Sequence, residues 1–443
     1  MRALFNTLRN IWNIQDLRMR ILTTLGFVLI YRLGSFVTLP GIDPTQLQLL
    51  ENQTSDGLLG LLNLFTGGAF SQASIMALGI MPYISASIVI QLLGVAVPYI
   101  QKLQRDGESG RTKINQLTRY LTILITGVQG PGYIANLQAT LPETAFLLSP
   151  STFWTSSIII LVTGTLFAMW LGEKITDRGI GNGISLLIMI GIIAALPQSF
   201  AFEFVTKING SGGGLVILVI ELVLLLAVIL LSILLVQGTR RIPVTYAKQM
   251  IGNRQYGGVK QYIPLKINAA GVMPIIFAQA IMFIPITFAG FSASTASSAF
   301  VQEFSDFSGF WYNFVFFILV VIFTYFYTAI TVNPEQMAAD MKRNNAMITE
   351  NRIKPGKQTA EYLNNVMTRI VLPGSFFLAF VAILPAFAMQ AGVNPQFAQF
   401  YGGTSLLIMV GVVLDTIQQI NAHLINRHYD GLMKKGRRTR SGM

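Results

Sequence analysis

From Gly57 to Gln101 the chain carries no charged side chain, a stretch more than twice the ~20 residues with which a helix crosses a bilayer once. One simple span cannot fill it. The segment Leu61 to Ser74 (LLNLFTGGAFSQAS) is interrupted by Gly67-Gly68 and carries Asn63, Thr66, Ser71 and Gln72. It reads as a short half-helix of poor lipophilicity, with the true span following from Ala73 to Val97. A broken segment is tolerated at membrane depth only where protein encloses it or where it lines a watery cavity. The rest of the chain is expected to build that enclosure.

Composition places the whole chain in the same setting. Of 443 residues, 52% are hydrophobic and only 11% charged, against roughly 25% charged in soluble domains. With no cysteine, neither a disulfide framework nor a thiolate metal site is available. Residues 1–20 lack an apolar core of the signal-peptide kind. Leu4, Phe5, Leu8, Ile11 and Trp12 fall instead on one helical face, with Arg2, Arg9, Arg18 and Arg20 between or after them, as in a membrane-surface helix.

Apolar runs of span length predict ten crossings, at 21–39, 73–97, 118–137, 153–171, 182–200, 214–236, 267–290, 310–332, 366–390 and 403–424. The basic residues test both the count and the orientation, because cytoplasmic loops carry the excess of positive charge. Of 31 Lys and Arg, all but Arg32 and Lys207 fall in the N-terminus, the loops after even-numbered spans (counting Arg119 and Arg369 at the span edges with them) and the C-terminal tail. Arg32 lies inside the first span, and Lys207 stands alone on the opposite side. Both termini are therefore expected to be cytoplasmic, with Asp43, Glu51, Asp56, Glu143, Glu203, Glu303 and Asp306 in outer loops. The net charge of +12 then describes a cytoplasmic face. The expected organisation is an N-terminal segment (1–20), a first half (21–200), a second half (201–424) and a basic tail (425–443).

An internal repeat relates the halves. Gly79-Ile80-Met81-Pro82-Tyr83-Ile84 in the second span is matched by Gly271-Val272-Met273-Pro274-Ile275-Ile276 in the seventh. Ile184-Ser185-Leu186-Leu187-Ile188-Met189 in the fifth is matched by Thr404-Ser405-Leu406-Leu407-Ile408-Met409 in the tenth. The repeat unit is thus five spans, and because five is odd the second copy is inverted, with its site expected near the midplane between halves. Solute transporters place carboxylates, amides or unwound backbone at such a site, whereas the recurring side chain here is isoleucine. Branched aliphatic groups coordinate nothing. They form a dewetting constriction that blocks water and ions, or else simply pack helices.

The loops at 237–266 and 333–365 hold most of the remaining information. The first has Arg240, Arg241, Lys248, Arg254, Lys260 and Lys266 and no acid, with RIPVTYA and VKQYIPL flanking a turn-prone NRQYGG, as in a protruding β-hairpin. The second has Lys342, Arg343, Arg352, Lys354 and Lys357, with a turn at Pro355-Gly356. Positive-inside retention explains the charge but not the length. Loops of this size suit docking of a cytosolic partner, either RNA phosphates or an acidic protein surface.

Several strings resemble the SecY family, the central subunit of the bacterial protein-conducting channel. They are LPGID at 39–43, FTGGAFSQASIMALGIMPYISASIVIQLL at 65–93, DRGIGNGIS at 177–185, RRIPVTYA at 240–247, LKINAAGVMPIIFA at 265–278, PGKQTAEYL at 355–363 and GGTSLLIMVGVVLD at 402–415. The resemblance runs from Asp16 to about Arg438. It implies an all-α polytopic membrane protein, with ten transmembrane helices in two inverted five-helix halves and a re-entrant plug half-helix. The family's pore ring falls on Ile80, Ile84, Ile184, Ile188, Ile276 and Ile408. Its plug falls on 61–74, with Leu61, Leu62, Asn63, Leu64, Phe65, Thr66, Gly67, Gly68, Ala69 and Phe70 at its centre. In the family a lateral gate opens between spans two and three on one side and seven and eight on the other, where Ser85, Ser87, Gln91 and Gln279 are polar candidates for hydrogen bonds across the seam. Contacts to cytosolic partners fall on Arg240, Arg241, Lys248, Arg254, Lys260, Arg352, Lys354 and Lys357. One departure stands out: the family commonly has arginine immediately before the Pro-Gly of the second loop, where this chain has Lys354, a residue without the forked guanidinium.

The function so implied is passive, with no nucleotide-binding loop, catalytic dyad, metal cluster or cofactor: a pore through which unfolded secretory chains cross and from which apolar segments leave into the lipid bilayer. Implied partners are the SecE and SecG membrane subunits, the SecA ATPase, a translating ribosome, and the signal sequences and nascent polypeptides themselves. The implied setting is a bacterial inner membrane. An inverted-repeat secondary transporter is the alternative from another class, and a thylakoid homologue a third. Arg32, Glu221 and Asp415 are the charges within spans, read either as structural pairs or as a relay.

Overall fold

The computed structural model describes residues 12, 14–47, 50, 57–209, 214–246, 249–251, 254–256, 260–289, 308–349 and 353–440. Each of the ten expected spans has a helix over it. In order the elements are α1 (Gln15–Gly34), α2 (Gly57–Thr66), α3 (Met81–Ala96), α4 (Pro98–Arg105), α5 (Gly107–Thr140), α6 (Pro150–Arg178), α7 (Gly183–Asn209) and α8 (Gly214–Gln237). There follow strands β1 (Thr239–Tyr246), β2 (Gln249–Ile251), β3 (Arg254–Tyr256) and β4 (Lys260–Lys266), then α9 (Met273–Ala289), α10 (Phe310–Thr331) and α11 (Pro334–Arg343). The chain closes with β5 (Ala346–Ile348), α12 (Lys357–Gln390), α13 (Pro395–Ala398) and α14 (Gly403–Arg440). Among the described residues six helices (α6, α7, α8, α12, α14 and α10 continued through α11) are long and apolar enough to cross a membrane on length and composition alone. The pair α3 and α4, bent by 103° at Val97, makes a seventh.

Two compact units are present. The first comprises residues 1–206, 395–397 and 411–443, and the second 207–394 and 398–410. In the first, Leu39, Ile42, Phe70, Ala73, Tyr133, Ile134, Leu137 and Phe153 are among the buried residues of one apolar core. The LPGID loop is stapled into it: Gly41 takes a left-handed φ of +93°, the Leu39 N–H donates to Ala73 O at 2.8 Å and the Asp43 N–H to Ala145 O at 3.0 Å. Asp43 itself caps the short turn at 44–46, and the Thr45 N–H and hydroxyl on its carboxylate hold its pKa below the usual range. In the second unit α9, α10 and α12 share a core around Ile275, Ala278, Phe316, Val320, Leu378 and Ala382.

Several sequence expectations are corrected here. The second span begins as a helix at Met81 and not at Ala73, because Gly79 takes φ +52° and Pro82 occupies the first turn, where its missing N–H costs nothing. The half-helix is Gly57–Thr66, and 67–74 runs in turns after Gly67 and Gly68, both left-handed. Part of the turn-prone NRQYGG is strand: Arg254–Tyr256 pairs antiparallel with Gln249–Ile251. Glu203 and Lys207 are not loop residues. The α7 helix continues to Asn209 and buries both, and Lys207 is not alone, since its Nζ lies 2.9 Å from Glu221 Oε1 and donates to Gly392 O.

The basic loops fold together. β1 pairs with β4 along its length and with β5 at its far end, giving a three-stranded antiparallel sheet of order β4-β1-β5. Alternation along β1 turns Ile242 and Val244 inward, onto Leu265, Met341, Ile348, Leu363 and Met367. The hairpin is thereby packed against α11 and the first turns of α12.

Candidate functional site: matched helix starts and the 57–80 segment

The six isoleucines sit at the beginnings of four helices. Ile80 is the N-cap of α3, and the first helical bond runs from the Ile84 N–H to Ile80 O at 3.0 Å. In the repeat partner Gly271 takes φ +63°, Pro274 again lies in the first turn, and the Ile276 N–H donates to Val272 O. The α7 and α14 helices begin at the matched Gly183 and Gly403, with Leu186 N–H to Asn182 O and Leu406 N–H to Gly402 O as corresponding first bonds. Thus Ile84 and Ile276 occupy equivalent positions, as do Ile188 and Ile408. The repeat first visible as short strings extends to the positive φ of Gly79 and Gly271 and to these first helical bonds.

Symmetry is broken at the other two. The counterpart of Ile80 is Val272, and the counterpart of Ile184 is Thr404, whose hydroxyl donates to Gln279 Oε1 at 3.0 Å in a buried bond between α14 and α9. Ile80, Ile84, Ile184 and Ile188 belong to the first unit, and Ile276 and Ile408 to the second. Ile80, Ile188 and Ile408 are buried and the other three half-buried. None of the six side chains offers a polar atom.

The segment proposed as a plug is held by polar contacts at its C-terminal end. Thr66 and Asn63 close the end of α2: Thr66 Oγ1 accepts from the Phe70 N–H, and Asn63 Oδ1 accepts from the Ser71 N–H at 3.0 Å. The Phe70 and Tyr133 rings meet at a tilt of 59° with centroids 4.8 Å apart, and Tyr133 Oη donates to Phe70 O at 2.8 Å. Arg32 reaches from α1 to donate to Gly67 O. Leu64, Phe65, Thr66, Ala69 and Phe70 are buried, and Leu62, Asn63 and Gly68 partly so. The side chain of Leu61 lies outside the described residues.

Of the four gate candidates, Ser85 donates to Met81 O and Gln91 to Ser87 Oγ, both within α3, and Gln279 is the acceptor of Thr404. The described bonds of Ser85, Ser87 and Gln91 lie within the first unit, and that of Gln279 within the second. On the loops, Arg240, Arg241, Lys260, Lys354 and Lys357 are exposed, the first three along the β1–β4 pair. Gly356, at φ +131°, turns the chain into α12. Lys248, Arg352 and the side chain of Arg254 lie outside the described residues, as do residues 1–11 of the expected surface helix. Tyr133, Asn63's bond to Ser71 and the Lys207–Glu221 pair were not foreseen; only the charged residues left a sequence signal.

A multi-pass helical membrane protein with an inverted repeat, helices that start inside apolar stretches and an enclosed half-helix has the fold of a protein-conducting channel. Solved structures agree. One described as a protein-conducting channel matches with a TM-score of 0.65 at 17% identity, covering 91% of this chain and 92% of the other. Canine Sec61 in a ribosome-channel complex from the endoplasmic reticulum matches at 0.59 and 16%, covering 91% and 92%. The SecY family model matches residues 74–417. Curated SecY protein translocase subunits from Streptomyces scabiei and Escherichia coli K12 are 42% and 39% identical, over 95% of this chain and 97% and 94% of theirs. The chain belongs to the SecY family.

Proposed function

We propose that the six isoleucines form the constriction of a protein-conducting channel and that residues 61–74 close it when no substrate is present. The chain is a channel subunit of a protein translocase; the assignment of roles within it is ours. The observation that carries the proposal is the equivalence of Ile84 with Ile276 and of Ile188 with Ile408 at matched helix starts, which supports one apolar girdle supplied by both copies of the repeat. Such a girdle blocks water and ions by dewetting while yielding to a chain pushed through it. Ser85, Ser87, Gln91 and Gln279 are proposed to flank the lateral exit.

Energy comes from outside the channel. The exposed Arg240, Arg241, Lys260, Lys354 and Lys357 supply positive charge on one folded body for a cytosolic partner. A ribosome fits through RNA phosphates, and the SecA ATPase fits through an acidic surface. SecE and SecG as membrane subunits, a bacterial cell membrane and cytoplasmic termini complete the proposal.

The chain has no cysteine, so single replacements are direct probes. With a precursor stalled in transit, Ile80→Cys, Ile84→Cys, Ile184→Cys, Ile188→Cys, Ile276→Cys and Ile408→Cys should each crosslink to it, and Leu124→Cys on the exposed face of α5 should not. Equal labelling at Leu124, or none at the six, overturns the assignment. Ion-coupled uptake of a small solute by vesicles carrying the chain would restore the transporter reading.

A further inference from the structure

We propose that Arg32 is a positioning residue that latches the 61–74 segment in its closed seat, and that releasing this latch is part of opening. The inference rests on the reading of that segment as the plug. Arg32 projects from the last turn of α1, and its guanidinium donates to Gly67 O while lying 4.8 Å over the ring of Phe36. Gly67 is the first residue past α2, in the left-handed conformation that ends a helix. Turn bonds from the Gly67, Gly68 and Ala69 N–H groups take the Leu64, Asn63 and Thr66 carbonyls at that end, and Gly67 O follows them at the negative end of the helix dipole. A cation is the group such an end takes best, and inside a membrane protein a guanidinium needs an acceptor of this kind as much as the carbonyl needs a donor.

The seat is shaped as well as charged. A Cβ on Gly67 would come within 2.8 Å of Gly191 Cα, and a Cβ on Gly191 within 2.8 Å of Phe65 O. The end of α2 therefore lies backbone to backbone on α7, with Arg32 closing the other side. The main-chain carbonyl is the grip, and only glycine fits there, since a Cβ at 67 would also come within 2.8 Å of the Arg32 guanidinium. When the segment leaves, Arg32 loses this acceptor and retains the Phe36 face. Closed and open states then differ by this charge-assisted hydrogen bond in addition to the segment's contacts with Tyr133 and Leu39.

Losing a charge-assisted hydrogen bond shifts a two-state equilibrium by about tenfold or more. The assay is ion leak across vesicles containing the full chain with its membrane partners and no precursor. Arg32→Leu should raise the leak about tenfold or more, and Arg32→Lys, which keeps a donor and a charge, should recover most of the closure. Gly191→Ala should raise it with Arg32 intact. As a second readout, Gln72→Cys should react faster with a membrane-impermeant maleimide when combined with Arg32→Leu, which separates unlatching from misfolding. Deleting 61–66 tests the underlying reading: an unchanged leak there overturns the plug itself. A raised leak on deletion with no change in leak or labelling for Arg32→Leu overturns the latch alone.

Discussion

Removing Lys207 should cost far more than its position near the end of a helix suggests. Its Nζ lies 2.9 Å from Glu221 Oε1, with side-chain exposures of only 10% and 6%, and it donates to Gly392 O as well. At that separation and an effective dielectric of about 20 the attraction is roughly 6 kcal/mol, while withdrawing two ions from water costs several kcal/mol each. The pair is therefore close to neutral in net stability, but its members are not separately dispensable. Lys207→Met should destabilise by about 3–5 kcal/mol, because Glu221 keeps its desolvation and loses this cation. Glu221→Leu should cost a similar amount, and the double variant should return to within about 1–2 kcal/mol of the parent. The four proteins of this cycle can be unfolded in mixed micelles of rising sodium dodecyl sulfate fraction and compared at the midpoints. Additive losses in the double variant would refute the argument, as would a single replacement costing less than about 1 kcal/mol.

The remaining expectations are smaller. Ile348→Ala opens a cavity where β5 meets the hairpin and should cost about 2–5 kcal/mol locally; protease cleavage within 237–266 should rise while the membrane helices stay protected. Gly164→Ala drives a Cβ into the Ile75 carbonyl and should cost about 1–3 kcal/mol by overpacking, read as a lowered unfolding midpoint. The folded Asp43 lies below its unfolded pKa, so its cap is fully present above the ordinary value near ~4 and is lost as pH falls through the lower folded value. Carbon-13 detection should find that carboxyl titrating low, and Thr45→Val, which removes the hydroxyl, should move it up.

Long apolar runs made α8 and α10 legible to within a residue or so, since nothing in them competes with a spanning helix. Helix starts inside apolar stretches were less so. Nothing in ASIMALGIMPYIS announces that the backbone stays in turns until Met81; that follows from Gly79 at positive φ and from the bonds joining Leu39 and Ile75 to their partners. Lys207 was misplaced for a related reason: hydropathy ends α7 where polar residues begin, but a buried ion pair lets the helix run on. The repeat pairs Ile84 with Ile276 and Ile188 with Ile408, whereas Ile80 and Ile184, matched by Val272 and Thr404, were singled out by the family resemblance alone. Arg32 was visible as a charge within a span, yet its acceptor at Gly67 was not, because a main-chain carbonyl leaves no mark in a sequence. Strand β5 was hidden because three residues carry too little alternation to register, and its partner lies about a hundred positions away.

That distant pairing has a mechanical outcome. Since β5 is zipped to β1 and β1 to β4, the two basic loops are a single handle whose sheet bonds take an axial load in shear. Whatever takes hold of either loop tugs at once on the roots of α8, α9, α11 and α12, so a push applied at one fingertip arrives as a shove on the whole second unit.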